Sequence, residues 1–514
     1  MKKTLLFCLI VFIKFSILSQ SSFNGYALYN RQNTNIAYLV DKDGMEVKRW
    51  NCNVACNYTV LLKENGNIVR GGRYSDNELS GAAIGGMVQE IDPSGNIVWE
   101  YIYSSVNHCS HHDITLVGDN VMLIAWEVKS TNELTQAGYD GASSDKWPTH
   151  FVEISQNGTG GKIVWEWHIW DHLIQDYDQS KNNYGVIANH PELIDINMIS
   201  GGGQGNPNSG DWFHVNGIDY NEDLDQISFS SRHASEVYII DHSTTTAEAA
   251  THSGGNSGMG GDIIYRWGNP SNYGINGSQV IPAAVHDIRW IENDGRPYGG
   301  YLQIFNNSGI SNNQSTVDAF LAPLDLTTGY TYLRNPGQAY GPTSYDTRYE
   351  CQLSSSGQSA SNRMSNGNIF VNASSGGGPN GSGAGVMYEV DANDSIIWQH
   401  IGLDGAPGKA FRYECEYPGI ISLLNNPCGV DLNLVENKEI SIFPNPSNGI
   451  FAVDGLTENT DIKILNIFGQ IIPVELKDSK IDLSNQPNGI YILNIKNSNG
   501  TISNKKMILN KNEF

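Results

Sequence analysis

The amino-acid sequence predicts an all-β protein, a six-bladed β-propeller followed by a small C-terminal Ig-like β-sandwich. Three observations support this prediction. The 514 residues include 55 glycines and 10% aromatic residues, a composition typical of short strands joined by tight turns. A unit of consecutive strands recurs along the chain up to about residue 425. After that point the pattern changes to short alternating strands with Asn-Gly turns.

The recurring unit has two halves. In the first half, two strands flank a turn rich in Asn, Asp or Gly, as in LLKENGNIVRGG, IDYNEDLDQISFSSR and RMSNGNIFVNAS. In the second half, an acidic residue precedes a turn and a strand that often ends in an aromatic residue; these segments are Asp41 to Trp50, Asp92 to Trp99, Glu153 to Trp165, Asp325 to Tyr332 and Asp391 to Trp398. Five full units and a first unit beginning at Gly25 predict six antiparallel blades, with the tryptophans packed between neighbouring blades.

The first 20 residues predict a secretory signal peptide. Lys2 and Lys3 precede an apolar run from Leu5 to Leu18, and small residues follow it. The run is too short and too interrupted for a stable membrane span. Six cysteines remain after cleavage, and an even number in an exported chain permits disulfides. Cys52 and Cys56 are one plausible local pair, although the sequence does not determine the pairing.

The charge and the missing motifs exclude several classes of protein. A net charge of −23 argues against a nucleic-acid partner, whose phosphates the chain would repel. We find no serine nucleophile elbow, phosphate-binding loop or dinucleotide fingerprint. The segment from His108 to Asp113 is dense in potential metal ligands, but ligands within one short extended segment rarely close on a single ion. We therefore predict no cofactor and no catalytic metal, and a structural calcium ion in an Asp/Asn/Gly loop remains open.

Polar residues recur at one register of the predicted innermost strands. When Ile114, Ile218 and Ile288 are aligned, His112, Asn216 and His286 fall at equivalent positions, and His214 lies two residues before Asn216. Residues two apart share a face of a strand, and the first strand of each blade lines the central channel of a propeller. These side chains are therefore expected to converge. The alternative is that each is an ordinary structural polar group.

Arg232 joins this set through hairpin geometry. Strands 214–220 and 226–232 form a near-symmetrical antiparallel pair about Asp223, which returns Arg232 to the level of His214. A guanidinium group, a carboxamide and three imidazoles around one channel form a candidate anion site. The alternative for Arg232 is a surface or salt-bridge residue.

Five segments of the chain together resemble the bacterial arylsulfate sulfotransferases. They are NHCSHHDITL, DWFHVNGIDYNEDLDQISFSSRHASEVYIID, YRWG, VHDIRW and SASNRMSNGNIF. The resemblance is diffuse over about residues 25–420 and sharpest in 211–241. It implies a six-bladed propeller, here residues 21–425, that moves a sulfuryl group from an aryl sulfate to a phenol without a nucleotide donor.

By this resemblance His286 is the transiently sulfurylated nucleophile, and His112, His214, Asn216 and Arg232 hold the sulfuryl oxygens. His214 or His112 exchanges the proton with the phenols, so we assign catalytic roles to His286, His214 and Arg232 and substrate-binding roles to His112 and Asn216. Strand alternation points Asp287 away from His286. The alternatives are a non-catalytic surface propeller that binds sulfated glycans or a protein, and a sulfatase-like or lyase activity on polysaccharide.

The C-terminal segment carries a second resemblance. After a linker at 426–437, residues 438–514 contain ISIFPNPSNGIFAV, DIKILNIFGQII and QPNGIYILNI, which resemble the type IX secretion sorting domains of Bacteroidetes. The resemblance implies that the type IX machinery is a partner and that the protein is attached to the cell surface or released. The alternative is a carbohydrate-binding or adhesive sandwich.

Overall fold

The computed structural model describes residues 22–511, with gaps at 32, 200–209, 375–384, 404–406, 426, 430–439, 457–460, 467–469, 475, 478 and 497–501. The predicted signal peptide and most of the predicted linker lie outside the described residues. The chain divides into two compact units, residues 1–428 and 429–514. Both are built from β-strands, so the predicted all-β class is confirmed.

The first unit begins with twelve strands. They are β1 (Gly25–Arg31), β2 (Ile36–Val40), β3 (Glu46–Asn51), β4 (Cys56–Leu62), β5 (Ile68–Arg73), β6 (Gly86–Ile91), β7 (Ile97–Ile102), β8 (His108–Val117), β9 (Asn120–Glu127), β10 (Thr149–Asn157), β11 (Gly160–His168) and β12 (Leu173–Ile174). The short helix α1 (Thr131–Gln136) follows β9, and a 3-10 turn at Ile169–His172 follows β11.

Fourteen further strands complete the described part of this unit. They are β13 (Ile194–Asp195), β14 (Val215–Asn221), β15 (Gln226–Ser231), β16 (Glu236–Asp241), β17 (Ile263–Trp267), β18 (Val285–Trp290), β19 (Leu302–Ile310), β20 (Gln314–Phe320), β21 (Thr347–Glu350), β22 (Ser359–Arg363), β23 (Ile369–Ala373), β24 (Val386–Val390), β25 (Ile396–His400) and β26 (Pro407–Glu414). The helices α2 (Thr246–Ala249) and α3 (Pro418–Leu423) and 3-10 turns at Ile187–Asn189, Pro270–Tyr273, Ser311–Asn313 and Pro427–Gly429 lie between or after them.

The strands pair into four-stranded antiparallel sheets, as the repeat predicts. Among the described residues these sheets have the orders β26-β1-β2-β3, β4-β5-β6-β7, β8-β9-β10-β11, β14-β15-β16-β17, β18-β19-β20-β21 and β22-β23-β24-β25. The first-named strands contact one another in the cyclic order β4, β8, β14, β18, β22, β26 and back to β4. The last of these, β26, pairs with the N-terminal strand β1, so one sheet contains both ends of the ring.

Tryptophans near the ends of outer strands join neighbouring sheets. The indole N–H of Trp50 donates to the carbonyl of Asp92, and that of Trp99 donates to the carbonyl of Gly160. Asp92 lies in the turn before β7 and Gly160 is the first residue of β11, each the outermost strand of the next sheet. The indole N–H of Trp398 donates to Lys42, in the first sheet, which continues the pattern around the ring. Packing between sheets, predicted for these residues, is confirmed.

The predicted strand at Asp325 to Tyr332 is wrong. Leu324 and Tyr332 form only an isolated bridge, and the fourth strand of that sheet is β21, which pairs with β20 after a long connection. Tyr332 is drawn into the adjacent sheet instead: its ring lies 4.9 Å from that of Tyr265, and its hydroxyl donates to Gln226 at 2.7 Å. Aromatic burial outside the sheet therefore overrides the strand pattern here.

The disulfide joins Cys415 to Cys428, with their Cα atoms 6.0 Å apart. Cys52 and Cys56, the plausible local pair, are both buried free thiols. Cys56 lies on an inner strand, where its thiol donates to the carbonyl of Arg31, whereas the thiol of Cys52 lies 3.7 Å from the carbonyl oxygen of Trp50. The bridge holds the segment after α3 close to the sheet that contains β26.

The second unit is a small two-sheet structure. It contains β27 (Ser441–Phe443), β28 (Ile450–Asp454), β29 (Asp461–Asn466), β30 (Ile471–Ile472), β31 (Lys480–Asp482), β32 (Gly489–Lys496) and β33 (Ile502–Leu509). The sheet orders are β27-β28-β31 and β30-β29-β32-β33. Side chains from both sheets, including Phe451, Ile481, Leu493 and Met507, form one hydrophobic core. Within the described part of the chain, every helix is too short to cross a bilayer.

Candidate active site

The innermost strands of three neighbouring sheets are irregular at the same level. Their pairing register shifts between Ser110 and Ile114 in β8, between Val215 and Gly217 in β14, and after His286 in β18. Such bulges redirect side chains out of simple alternation. Gly217 is required here, because a Cβ atom at this position would lie 2.8 Å from the Cα of Asp287. The sheets therefore approach one another closely at the level of the predicted site residues.

His112 and His214 lie together in a cluster of imidazoles. Their ring centroids are 4.6 Å apart in an edge-to-face arrangement. His111 places Nδ1 2.6 Å from Nδ1 of His112, and His233 stacks on His214 at 4.7 Å. Burial, together with the positive charges of His214 and other neighbours, holds the pKa of His112 well below its usual range. His111 and His233 did not stand out in the sequence, because neither falls at the aligned register.

His286 is held in one tautomer. Its ring is only 3% exposed, and Nδ1 lies 2.9 Å from the carbonyl oxygen of Ala284. A carbonyl can only accept, so Nδ1 carries the hydrogen and Nε2 carries the lone pair. Burial lowers the pKa of His286 to about 3, and the charges of Arg232, His214 and Lys409 contribute in the same direction. The imidazole is therefore neutral and nucleophilic at Nε2, with cationic groups around it.

Arg232 lies where the hairpin predicted. Strands β14 and β15 pair with Val215 opposite Ser231, and the backbone N–H of Arg232 donates to the carbonyl of His214 at 3.1 Å. Burial lowers the pKa of its guanidinium group. Since its charge acts on both His286 and His233, the side chain contributes a positive field to the histidine cluster.

Asn216 bridges two inner strands. It is fully buried, its amide donates to the carbonyl of Val285 at 2.8 Å, and its oxygen accepts from the hydroxyl of Ser230 at 2.7 Å. Val285 directly precedes His286, so the carboxamide fixes the strand that carries this histidine. One amide hydrogen is left over from these two contacts.

Asp211 is a member of the site that the sequence did not single out. Nδ1 of His214 lies 2.5 Å from its carboxylate, which also accepts from the indole N–H of Trp126 at 3.0 Å. Burial alone would raise the pKa of Asp211, but the charge and hydrogen bond of His214 hold it below the usual range. The carboxylate fixes the His214 hydrogen on Nδ1 and leaves Nε2 for proton exchange. The local signal was the three-residue spacing within DWFH.

Lys409 is the second residue that sequence reasoning missed. Its ammonium group is fully buried on β26 and donates to Asp113 at 2.6 Å and to Asp287 at 2.7 Å. Both carboxylates are fully buried as well. We call these three residues the central ion cluster. Asp287 therefore faces Lys409, whereas His286 is bound to Ala284, in agreement with the predicted strand alternation.

Hydrogen bonds from the central ion cluster reach all six innermost strands. Asp113, on β8, accepts from the hydroxyl of Thr59 on β4 and from the backbone N–H of Ile218 on β14. Asp287, on β18, accepts from the backbone N–H of Ser361 on β22 at 2.8 Å. Lys409 itself lies on β26, the sixth innermost strand. The cluster therefore ties the sheets together at their shared centre.

A cavity of about 630 Å³ lies at the other ends of these strands. Its lining includes Asp219, Arg289, Trp290, Arg363 and Phe411. On β18 and β26, Arg289 and Phe411 follow the cluster residues Asp287 and Lys409 along the strand. His112 and His286 instead directly precede the cluster residues Asp113 and Asp287. The cluster therefore separates the histidine site from this cavity.

The ligand-rich segment from His108 to Asp113 spreads in several directions. The ring of His108 stacks on Tyr103 at 4.2 Å, and His111 stacks on Trp126 at 4.1 Å. Asp113 is bound to Lys409. Its members therefore do not converge on one point.

Protonation of His286 predicts a dependence of stability on pH. Its pKa is about 3 when folded and about 6.5 when unfolded, so the unfolded chain binds the extra proton below pH 6.5. This contribution to stability is present above pH 6.5 and is lost as the pH falls toward 3. Between pH 6.5 and 5.5 the wild type should lose about 1 kcal/mol more than His286→Gln. Urea unfolding at both pH values measures this, and equal losses would contradict a buried neutral imidazole.

The solved structures that match this chain have low sequence identity to it and low TM-scores. A protein of unknown function from Bacteroides caccae is 10% identical, with 76% of this chain and 98% of that chain covered and a TM-score of 0.40. A protein from Lactobacillus plantarum is 9% identical, with 95% and 97% covered and a TM-score of 0.36. The Cps50 (Swd1) β-propeller domain of Myceliophteria thermophila is 10% identical, with 74% and 87% covered and a TM-score of 0.34.

Family models identify both parts of the chain. No curated protein matches it significantly. Residues 441–510 match the secretion system C-terminal sorting domain, which confirms the predicted type IX sorting domain and indicates export to the cell surface or secretion. Residues 19–398, which include His112, His214, Asn216, Arg232 and His286, match the arylsulfotransferase (ASST) model. The chain therefore belongs to the arylsulfotransferase (ASST) family.

Proposed function

We propose that this chain is an exported aryl-sulfate sulfotransferase that works through a sulfo-histidine intermediate on His286. The observation that carries the proposal is the state of this imidazole: buried, neutral, and held by Ala284 so that the lone pair is on Nε2. Family membership supports the reaction class. Six four-stranded sheets whose inner strands contact one another in a ring support a six-bladed propeller with the site at its axis.

In the first step, Nε2 of His286 attacks the sulfur atom of the aryl sulfate. An N–S bond forms, the S–O bond to the aryl group breaks, and the electron pair leaves on the phenolate oxygen. His214, protonated on Nε2, gives its proton to this oxygen. The carboxylate of Asp211 accepts the Nδ1 hydrogen of His214 at 2.5 Å, so the proton is exchanged through Nε2.

The second step reverses these roles with a new phenol. Neutral His214 removes the acceptor's proton through Nε2, the acceptor oxygen attacks sulfur, and the N–S bond breaks. The electron pair returns to Nε2 of His286. Splitting the transfer into two displacements replaces one difficult step by two easier ones.

Fixed positive charge and hydrogen-bond donors favour both transition states. Arg232 supplies a partly buried guanidinium group, and a well-placed donor of this kind is worth about 3 to 4 kcal/mol. His112 contacts His214 at 4.6 Å and faces the same cluster, so we assign it to the sulfuryl oxygens. Asn216 directs its remaining amide hydrogen to the same oxygens while it fixes the strand before His286.

An acceptor-dependence assay tests the proposal. The purified chain is incubated with a chromogenic aryl sulfate, with and without a phenol, and both dye release and the sulfated phenol are measured. We expect release that depends on the phenol and matches formation of the sulfated product. Release without acceptor would indicate hydrolysis. Binding of sulfated glycans without any turnover would instead support a non-catalytic surface protein.

A further inference from the structure

A second cluster of ionisable side chains lies at the outer edge of the first unit. His172 ends the 3-10 turn after β11, Asp262 directly precedes β17, and His252 lies in the connection between α2 and β17. The strands β11 and β17 are the outermost strands of two neighbouring sheets, whereas His112 and His286 lie on innermost strands. The cluster is therefore separate from the proposed sulfuryl site.

The three side chains present their ligand atoms to one point. Nδ1 of His172 and Nδ1 of His252 each lie 2.7 Å from Oδ1 of Asp262. These atoms all lie within 4.8 Å of one another. The side chains of His172 and Asp262 are buried, whereas that of His252 is 62% exposed. One side of the group is thus open to solvent.

Both ring nitrogens of His172 face hydrogen-bond acceptors. Its Nε2 lies 2.8 Å from the carbonyl oxygen of Ala249, while Nδ1 faces the carboxylate of Asp262. Both neighbours only accept, and a neutral imidazole has a single N–H. If the single hydrogen is on Nδ1, it goes to the carboxylate; in a second arrangement it is on Nε2, and Nδ1 offers its lone pair to a metal ion beside the carboxylate. In the second arrangement the Nε2 hydrogen goes to a backbone carbonyl, as is usual for metal-bound histidine.

The backbone around the cluster is shaped to allow this contact. A Cβ atom at Gly261 would lie 2.6 Å from Nε2 of His172 and 2.0 Å from the oxygen of Ala249. Only glycine permits the close approach of the histidine to the carbonyl. Trp167 packs parallel to the His172 ring, with centroids 5.7 Å apart, and fixes its plane. The orientation of Nδ1 is therefore set by the fold.

We propose that Nδ1 of His172, Nδ1 of His252 and Oδ1 of Asp262 bind a divalent transition metal ion, with zinc as the expected ion. Two imidazole nitrogens and one carboxylate oxygen are a donor set typical of zinc, with the fourth position open to water. The ion joins the connection before β17 to the turn after β11 and so links the edges of two sheets. This site does not depend on the proposed sulfuryl transfer.

Zinc content of the full chain tests the proposal. The untagged protein is treated with EDTA, reloaded with Zn²⁺, passed through gel filtration and analysed by mass spectrometry of the metal. We expect His252→Ala to lose about one equivalent relative to the wild type. Since His252 is exposed, this variant should fold. Zn²⁺ should also raise the Tm of the wild type and leave that of His252→Ala unchanged.

Two variants control for zinc bound elsewhere. His190, an exposed histidine 2.9 Å from Glu192, is a matched control, so His190→Ala should keep the wild-type zinc content. His214→Ala tests the histidine cluster and should keep it too. A wild type without zinc would overturn the proposal. So would a His252→Ala variant with unchanged zinc, or a loss seen only in His214→Ala.

Discussion

Replacing His286 with alanine should lower kcat/KM for sulfuryl transfer by about 10⁴-fold or more, the scale seen when a covalent nucleophile is removed. Nε2 of this residue carries the lone pair that forms the N–S bond, and the neighbouring histidines differ in their hydrogen-bonding. His214 is bound through Nδ1 to Asp211, and His112 faces Nδ1 of His111. His112 lies on β8 and His214 directly before β14, so neither places a ring nitrogen at the position of Nε2 of His286.

A control variant for this kinetic comparison lacks a histidine that lies outside the candidate active site. His400 lies on the outermost strand β25, and His400→Ala should keep wild-type activity. His286→Gln preserves much of the packing and should be as inactive as His286→Ala. If both His286 variants transferred sulfuryl groups at near the wild-type rate, the nucleophile would have to be another residue.

Lys409→Met should destabilise the first unit by about 3 to 5 kcal/mol, the cost typical of removing one partner from a buried ion cluster. The substitution leaves the carboxylates of Asp113 and Asp287 buried without the ammonium group that lies 2.6 and 2.7 Å away. Asp287 keeps an ion pair with Arg289 at 3.1 Å, so Asp113 bears the larger loss.

Tryptophan fluorescence during urea unfolding measures this effect in the full chain. All 11 tryptophans precede residue 429, so the signal reports on the first unit alone. Asp113→Asn added to Lys409→Met removes one uncompensated charge and should restore part of the stability. Lys42→Met, which breaks an exposed pair with Asp43, should leave the unfolding free energy unchanged. A Lys409→Met chain as stable as the wild type would contradict the role of the central ion cluster.

Most of the strands, and the shared register of His112 and His286, could be read from the sequence because both follow a repeat. Turns rich in Asn, Asp or Gly recur along the chain, and an aligned register can be read from Ile114, Ile218 and Ile288. Lys409 could not be found this way. It is one basic residue in a segment that becomes an inner strand only when the last strand pairs with the first. That pairing is a long-range property of the ring.

Other differences between the predicted and the observed structure also arise from tertiary contacts. The register shifts near His112 and His286 turn side chains away from strict alternation. The two histidines belong to the site, while the next residues, Asp113 and Asp287, face Lys409. The disulfide partner of Cys415 follows α3, whereas the sequence offered only a local pair. Asp211 joins the site because its segment returns to the histidine cluster and to Trp126. None of these contacts has a periodic signal in the chain.

The state of His286 after reaction with donor alone is the most direct test of the account. The wild-type chain is mixed with an aryl sulfate in the absence of phenol, quenched at alkaline pH, digested and analysed by mass spectrometry. We expect one added SO₃ group on the peptide that contains His286, and its disappearance when a phenol is added before quenching. Turnover with an unmodified His286 peptide, or SO₃ carried on another residue, would contradict the account.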